Sequence, residues 1–161
     1  PDGKVQLQAK RHLFAPGGEK KFVSSATSRS IFTFKGWHIL PIICYYLRFP
    51  VWCRNVSNEY DLIIAVANWP RPRREVFRTL LRARAMENLS YVIGVNRIGE
   101  DPNRLVYSGD SVIIDPRGKA LVEAEEGAEA VITATLDYAP LQDLRQKFPV
   151  WADADPFLLQ I

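Results

Sequence analysis

Cysteine is scarce in this sequence. Only Cys44 and Cys53 occur, with no CxxC pair, so neither a disulfide framework nor a zinc-binding spacing is present and a reducing cytoplasm is the default compartment. Long apolar runs are also missing. The longest, Ile39 to Leu47, contains Pro41 and is about half of the roughly 20 residues a membrane-spanning helix needs, so no membrane span is expected. Nor is there a strong excess of one charge. Lys and Arg number 21 against 18 Asp and Glu, a net charge of +3. This falls short of a dedicated nucleic-acid binder but leaves small anionic ligands admissible. No low-complexity tract, no repeat of solenoid length and no Gly-rich phosphate loop after a strand is found.

What is present reads as a folded chain. Its 161 residues are 47% apolar and 24% charged, enough for about one domain enclosing a hydrophobic core. Asp2-Gly3 reads as a turn and Val5 to Gln8 as a half-buried strand by its alternation. Pro16-Gly17-Gly18 breaks the next stretch. Ile31 to Phe34, the turn Lys35-Gly36, and His38 to Ile43 then read as two strands, the second apolar enough to be buried on both faces. Asp61 to Ala67 and Ser90 to Val95 are two more apolar runs. Between them, from about Pro72, Val76, Phe77, Leu80, Leu81 and Ala85 recur at helical spacing, with Arg74, Arg78 and Arg82 on another stripe. Val112 to Asp115, a turn at Pro116 to Lys119, and Ala120 to Ala124 form a hairpin pattern; Ala130 to Leu136 reads as a further strand, followed by a short helix and an irregular tail. Parallel-type strands followed by antiparallel hairpins predict a mixed sheet covered by helices.

Cys44 is the residue best placed for chemistry. It ends a buried strand and precedes Tyr45-Tyr46-Leu47-Arg48-Phe49-Pro50, so the thiol is expected at a sharp strand-to-helix corner. The positive end of a helix favours a thiolate there, and backbone N–H groups can receive charge on a neighbouring oxygen. A buried structural cysteine is the competing reading of the residue type. Taken alone, Lys10 reads as a solvated strand lysine and Glu19 as an exposed loop charge. His12 could pair with Cys44 as a dyad, but a strand histidine bonded to backbone is favoured, and His38 reads the same way. The arginines from Arg71 to Arg84 read as a solvated helix face, without the aromatic interleaving of a single-strand binder. For Trp69, at the end of a buried strand, a pocket wall and a packed core residue are equally consistent.

Several separated stretches together resemble the carbon-nitrogen hydrolase (nitrilase) superfamily, and within it the omega-amidase-like branch. Lys10-Arg11-His12-Leu13-Phe14 is similar to the lysine motif and Gly18-Glu19 to the glutamate beyond it. Ile43-Cys44-Tyr45 through Leu47-Arg48-Phe49-Pro50 resembles the nucleophile motif. Asn68-Trp69-Pro70, Arg82 to Asn88, Gly94 to Arg97, Tyr107 to Ser111, Asp115 to Gly118 and the tail from Arg145 to Phe157 follow in family order.

The resemblance implies an α/β fold, the nitrilase-type alpha-beta-beta-alpha sandwich of four layers. It implies Cys44 as nucleophile, Lys10 as the cation beside it and Glu19 as a supporting glutamate, with Tyr45, Asn68 and Trp69 at the oxyanion and substrate pocket. The implied reaction is hydrolysis of the terminal carboxamide of short dicarboxylate monoamides, such as 2-oxoglutaramate, through a cysteine thioester. No metal or organic cofactor is called for. The implied partners are a small-molecule amide and a second copy of the chain in a homodimer or higher homo-oligomer, with no nucleic acid and no membrane. Departures accompany the agreements. The family's general-base glutamate precedes the lysine motif, where this chain has only Asp2. Gln8-Ala9 replaces the usual Tyr-Asp, and Tyr46 stands where the family has Asp. Residues 1–161 are therefore expected to be the carboxyl-terminal two-thirds of one hydrolase domain, amino-terminally truncated. A catalytically incomplete scaffold or partner subunit, or a nitrile or carbamoyl-amide hydrolase, is the alternative.

Overall fold

A computed structural model describes Gly3 and residues 5–157. Its centre is a six-stranded mixed sheet in the order β1-β2-β3-β4-β7-β8, with a two-stranded ribbon β5-β6 beside it. Strands β1 (Phe32–Phe34) and β2 (Trp37–Ile43) form an antiparallel hairpin whose turn, Lys35-Gly36, has positive φ at both residues. That matches the two-residue turn whose twist suits paired strands. Strand β2 then runs parallel to β3 (Leu62–Ala67), and β3 parallel to β4 (Tyr91–Asn96). Pro41 falls beyond the end of β1, where one flank of β2 has no partner among the described residues, and a residue without an N–H is tolerated at such an edge.

Helix α2 (Arg74–Asn88) makes the crossover from β3 to β4. Its predicted apolar stripe is the one that packs: Phe77, Leu81 and Ala85 are buried against Leu40, Ile42, Ile63, Ala65, Val92 and Ile114 of the sheet, each large side chain contributing roughly 2 kcal/mol. Strands β7 (Val112–Ile114) and β8 (Ala120–Glu123) complete the sheet as an antiparallel hairpin. Asp115 accepts from Arg117 N–H at 2.8 Å and Lys119 N–H at 2.9 Å across its turn. On the opposite face, Leu141 of α3 (Tyr138–Lys147) packs with Leu62 and Tyr91. Arg145 of α3 reaches under the sheet to Asp61 at 2.7 Å, the Tyr60 carbonyl at 2.7 Å and the Leu89 carbonyl at 3.0 Å, all buried.

Several expectations are corrected. Val5 to Gln8 forms no strand, and Val5 and Leu7 are exposed; alternation supplied a face but no ladder partner accompanies it among the described residues. Ala130 to Leu136 likewise forms no strand, with Val131 97% exposed. Strand β2 is fully buried only through Leu40 and Ile42, its other face being half-covered. The ribbon of β5 (Ile98–Glu100) and β6 (Val106–Ser108) was not anticipated. Asp2 of the predicted first turn lies outside the described residues. No helix among the described residues is long and apolar enough to cross a membrane.

Candidate active site

The parallel strands end on one side of the sheet, and Cys44 is the residue at which β2 stops. Its φ of 46° is left-handed, a conformation that costs a non-glycine residue on the order of 1 kcal/mol and persists only where neighbours enforce it. The chain turns there into a five-residue 3-10 turn, Cys44–Arg48, and then a single α-helical turn, α1 (Pro50–Cys53). The corner is as predicted; the helix after it is much shorter than a full α-helix. Buried Arg84 of α2 pins the turn by donating to the Leu47 carbonyl at 2.5 Å, its own charge offset by Glu87 at 2.8 Å.

Tyr46 holds the other side. Its ring is 1% exposed. The hydroxyl accepts from the Arg11 N–H and donates to the Ala9 carbonyl at 3.0 Å, so one phenol brackets the backbone on both sides of Lys10. Burial raises the Tyr46 pKa against the opposing effect of the Arg11 N–H, and the hydroxyl stays a proton donor at neutral pH. The tyrosine that departs from the family's Asp thus ties the Cys44 turn to the lysine segment.

Lys10 donates to both Glu19 oxygens at 2.7 Å, and Glu19 also accepts from the Phe14 N–H at 2.6 Å. Burial pushes the Glu19 carboxyl up, but the Lys10 ammonium and the Phe14 N–H outweigh it and hold the group below its ordinary value. Neither residue is the solvated charge that residue type alone predicts: the Lys10 side chain is 15% exposed.

Cys44, Lys10, Glu19, Tyr45, Asn68 and Trp69 line one cavity of about 470 Å³. The Cys44 thiol points at the Asn68 carbonyl, 3.9 Å away. Trp69 serves as both of its alternatives, a cavity wall that is only 4% exposed. Asn96, at the end of β4, accepts from Trp69 N–H at 2.7 Å and donates to Trp69 O at 3.0 Å, which fixes the loop carrying Asn68. The indole N–H donates to the Arg73 carbonyl at 2.8 Å.

Sequence reasoning missed Asn96 as a positioning residue and Arg48, Arg73, Leu105 and Tyr107 as cavity walls. Arg48 lay within the nucleophile motif, Asn96 and Tyr107 within the family-like stretches Gly94 to Arg97 and Tyr107 to Ser111, and Arg73 four residues beyond Trp69. Leu105 and Tyr107 arrive on the unanticipated ribbon, whose loop closes on Asp101 through the Asn103 and Leu105 N–H groups. His12 does not line the cavity, and its side chain is not bonded to backbone among the described residues. It stacks on Phe49 at 3.7 Å between Tyr46 and Trp52 with Nδ1 unpartnered, and burial, then Arg11, lowers its pKa. The His38 side chain is exposed, the bond near it being from its backbone N–H to Asp61. The second cysteine, Cys53, is fully buried, and burial pushes its thiol up to about 11.

Known proteins are similar to this chain in sequence and fold. The carbon-nitrogen hydrolase family model matches residues 1–146. The omega-amidase YafV of Escherichia coli K12 is 47% identical over 159 residues, 99% of this chain and 62% of that protein. The 2-oxoglutaramate amidase of Bacillus subtilis is 33% identical over 150 residues, 92% of this chain and 57% of that one. XC1258 of Xanthomonas campestris, a CN-hydrolase superfamily protein with an arsenic adduct in its active site, superimposes with a TM-score of 0.96 at 45% identity, over 99% of this chain and 63% of that chain. The chain thus spans less than two thirds of the length of each of these relatives. With its sheet, its cysteine corner and its lysine-glutamate pair, it belongs to the carbon-nitrogen hydrolase family.

Proposed function

We propose that this chain carries the nucleophile of an amidase acting on the terminal carboxamide of short dicarboxylate monoamides; relatives named as an omega-amidase and a 2-oxoglutaramate amidase support that reading. The observation that carries the reading is a strained cysteine at a strand end, opening into the same cavity as a lysine fixed by a glutamate. The Cys44 sulfur attacks the amide carbon. The C=O π bond opens to an oxyanion, which the Lys10 ammonium and the Tyr45 N–H receive. The oxyanion collapses to restore the C=O bond as the C–N bond breaks, ammonia leaves carrying the proton given up by the Cys44 thiol, and a thioester remains on Cys44. Water attacks the thioester, the C–S bond breaks, and the acid is released.

Glu19 orients Lys10; with both oxygens engaged, it is poorly placed to shuttle the protons. That task belongs to a further glutamate, which the resemblance implies before the lysine motif. Asn68 and Trp69 shape the wall against which the amide lies. The family resemblance supports a homodimer or higher assembly, and two unbridged thiols fit a cytoplasmic setting.

The experiment is ammonia release from 2-oxoglutaramate by the intact protein and its cysteine variants. Cys44→Ala lowers turnover about 10⁴-fold or more, and mass spectrometry of the parent traps an acyl adduct on Cys44. Cys53→Ala keeps most of the activity. Equal loss in both variants overturns the assignment.

A further inference from the structure

Six arginines fall between Arg71 and Arg84, and the neighbours of Arg73 all have carboxylate partners. Arg71 pairs with Glu126 at 2.9 Å, Arg74 with Asp110 at 2.6 Å, Arg78 with Asp110 at 3.2 Å, Arg82 with Glu123, and Arg84 with Glu87 at 2.8 Å. Arg73 has no such partner among the described residues. It lines the cavity that holds Cys44, and its guanidinium lies 6.0 Å from the centroid of the Phe14 ring on the cavity wall. Its backbone is fixed on both sides, by the Trp69 indole N–H at its carbonyl and by the Pro70 carbonyl that accepts its own N–H at 3.0 Å.

Local stability does not account for an arginine here. Residue 73 is the N-cap of α2 and makes no side-chain capping bond. Helix starts favour short side chains that accept such a bond, and the positive end of a helix disfavours a cation. The cavity also lacks a counter-charge. Its charged lining residues are Lys10, Glu19, Arg48 and Arg73, and Glu19 is committed to Lys10. The Arg48 guanidinium lies over the Trp69 ring at 5.2 Å. Two guanidinium groups therefore line a largely apolar cavity with no free anion supplied by the described residues, and a guanidinium fork is shaped for a carboxylate.

We infer that Arg73 is a specificity-determining residue that receives the carboxylate at the far end of the substrate while the carboxamide lies at Cys44. The inference rests on the amidase reading and deepens it. Arg73 is what makes an anionic amide a better ligand than a neutral amide of the same length. The unpaired member of a paired arginine row is then the one reserved for the ligand.

The test separates binding from turnover. In the intact protein carrying Cys44→Ala, titration calorimetry with 2-oxoglutarate reports the carboxylate site without any chemistry. Adding Arg73→Gln weakens binding about 10- to 100-fold, the worth of a charge-assisted hydrogen bond; Arg73→Lys weakens it less. In the active protein, Arg73→Gln raises KM for the anionic amide far more than it lowers kcat, and the preference over a neutral amide narrows by a similar factor. Dicarboxylate binding that stays within about two-fold of the parent overturns the inference. So does an equal fall in kcat on both amides, which would mark Arg73 as a mere support for Trp69. Failure of the amidase reading looks different: ammonia is released from no amide even with Arg73 intact, and the calorimetric arm still decides the role of Arg73.

Discussion

Replacing Tyr46 by Phe removes one oxygen and leaves the aromatic packing in place. The ring keeps its contacts with His12 and Trp52, so no cavity forms beyond a single hydroxyl. What is lost is the pair of bonds to the Arg11 N–H and the Ala9 carbonyl. Each backbone group left unpaired costs about 1 to 3 kcal/mol when buried. Residues 9–11 range from half-buried to exposed, so water recovers part of this, and a total of about 2 kcal/mol is expected. Urea unfolding measures that value directly. The activity effect is more diagnostic, because both lost bonds flank Lys10. On the role proposed for Lys10, a displaced oxyanion donor costs somewhat less than an absent one, about 10- to 100-fold in kcat. Measured again in a Lys10→Ala background, the Tyr46→Phe effect on kcat should nearly vanish, since the two changes act through one group. A Tyr46→Phe loss that persists undiminished without Lys10, or a variant as stable and active as the parent, would refute this reasoning.

The Lys10–Glu19 pair gives a second prediction, in pH. The Glu19 carboxyl is held below its ordinary value of about 4.5, so its contribution is fully present above that value and is lost as pH falls through the lower folded one. The stability gap between parent and Glu19→Gln, from urea midpoints between about pH 3 and 7, should therefore close on the acid side; a gap constant across the range contradicts the pairing. For Asn96→Ala, the backbone N–H and carbonyl of buried Trp69 both lose their partner. A destabilisation of about 2 to 4 kcal/mol is expected, with a fall in kcat as the Asn68-Trp69 loop loosens; unfolding and turnover both within error of the parent would remove Asn96 from the site.

How far the sequence foretold this molecule depends on the kind of signal. The apolar runs from His38, Asp61 and Ser90 became β2, β3 and β4 because burial inside a parallel sheet demands an almost unbroken apolar text. The stripe of Phe77, Leu81 and Ala85 was equally plain. Val5 to Gln8 and Ala130 to Leu136 carried the right alternation, yet alternation specifies a face and not a neighbour, and neither segment has a ladder partner among the described residues. The β5–β6 ribbon was invisible because Ile98-Gly99-Glu100 and Val106-Tyr107-Ser108 are too short and mixed to show a period.

At the site, the Cys44 corner was readable from an apolar strand that stops abruptly. The grip of Glu19 on Lys10 came only through family resemblance, since nothing in the spacing of two charged residues announces a salt bridge. Tyr46 registered as a departure, although its hydroxyl has the structural task. The arginine row read as a solvated face because its acids, Asp110, Glu123 and Glu126, lie far along the chain from the arginines they meet, Glu126 being 52 residues from Arg74 and further still from Arg71.

Arg145 grips the chain at Tyr60, Asp61 and Leu89, where β3 and β4 begin, whereas the cysteine cavity lies where those strands finish. About 20 Å of strand separates the two. Anchorage and reactivity thus occupy opposite poles of the same ribbons. A lineage could redesign the carboxyl-terminal helix, or remodel the mouth of the cavity, with each change largely insulated from the other.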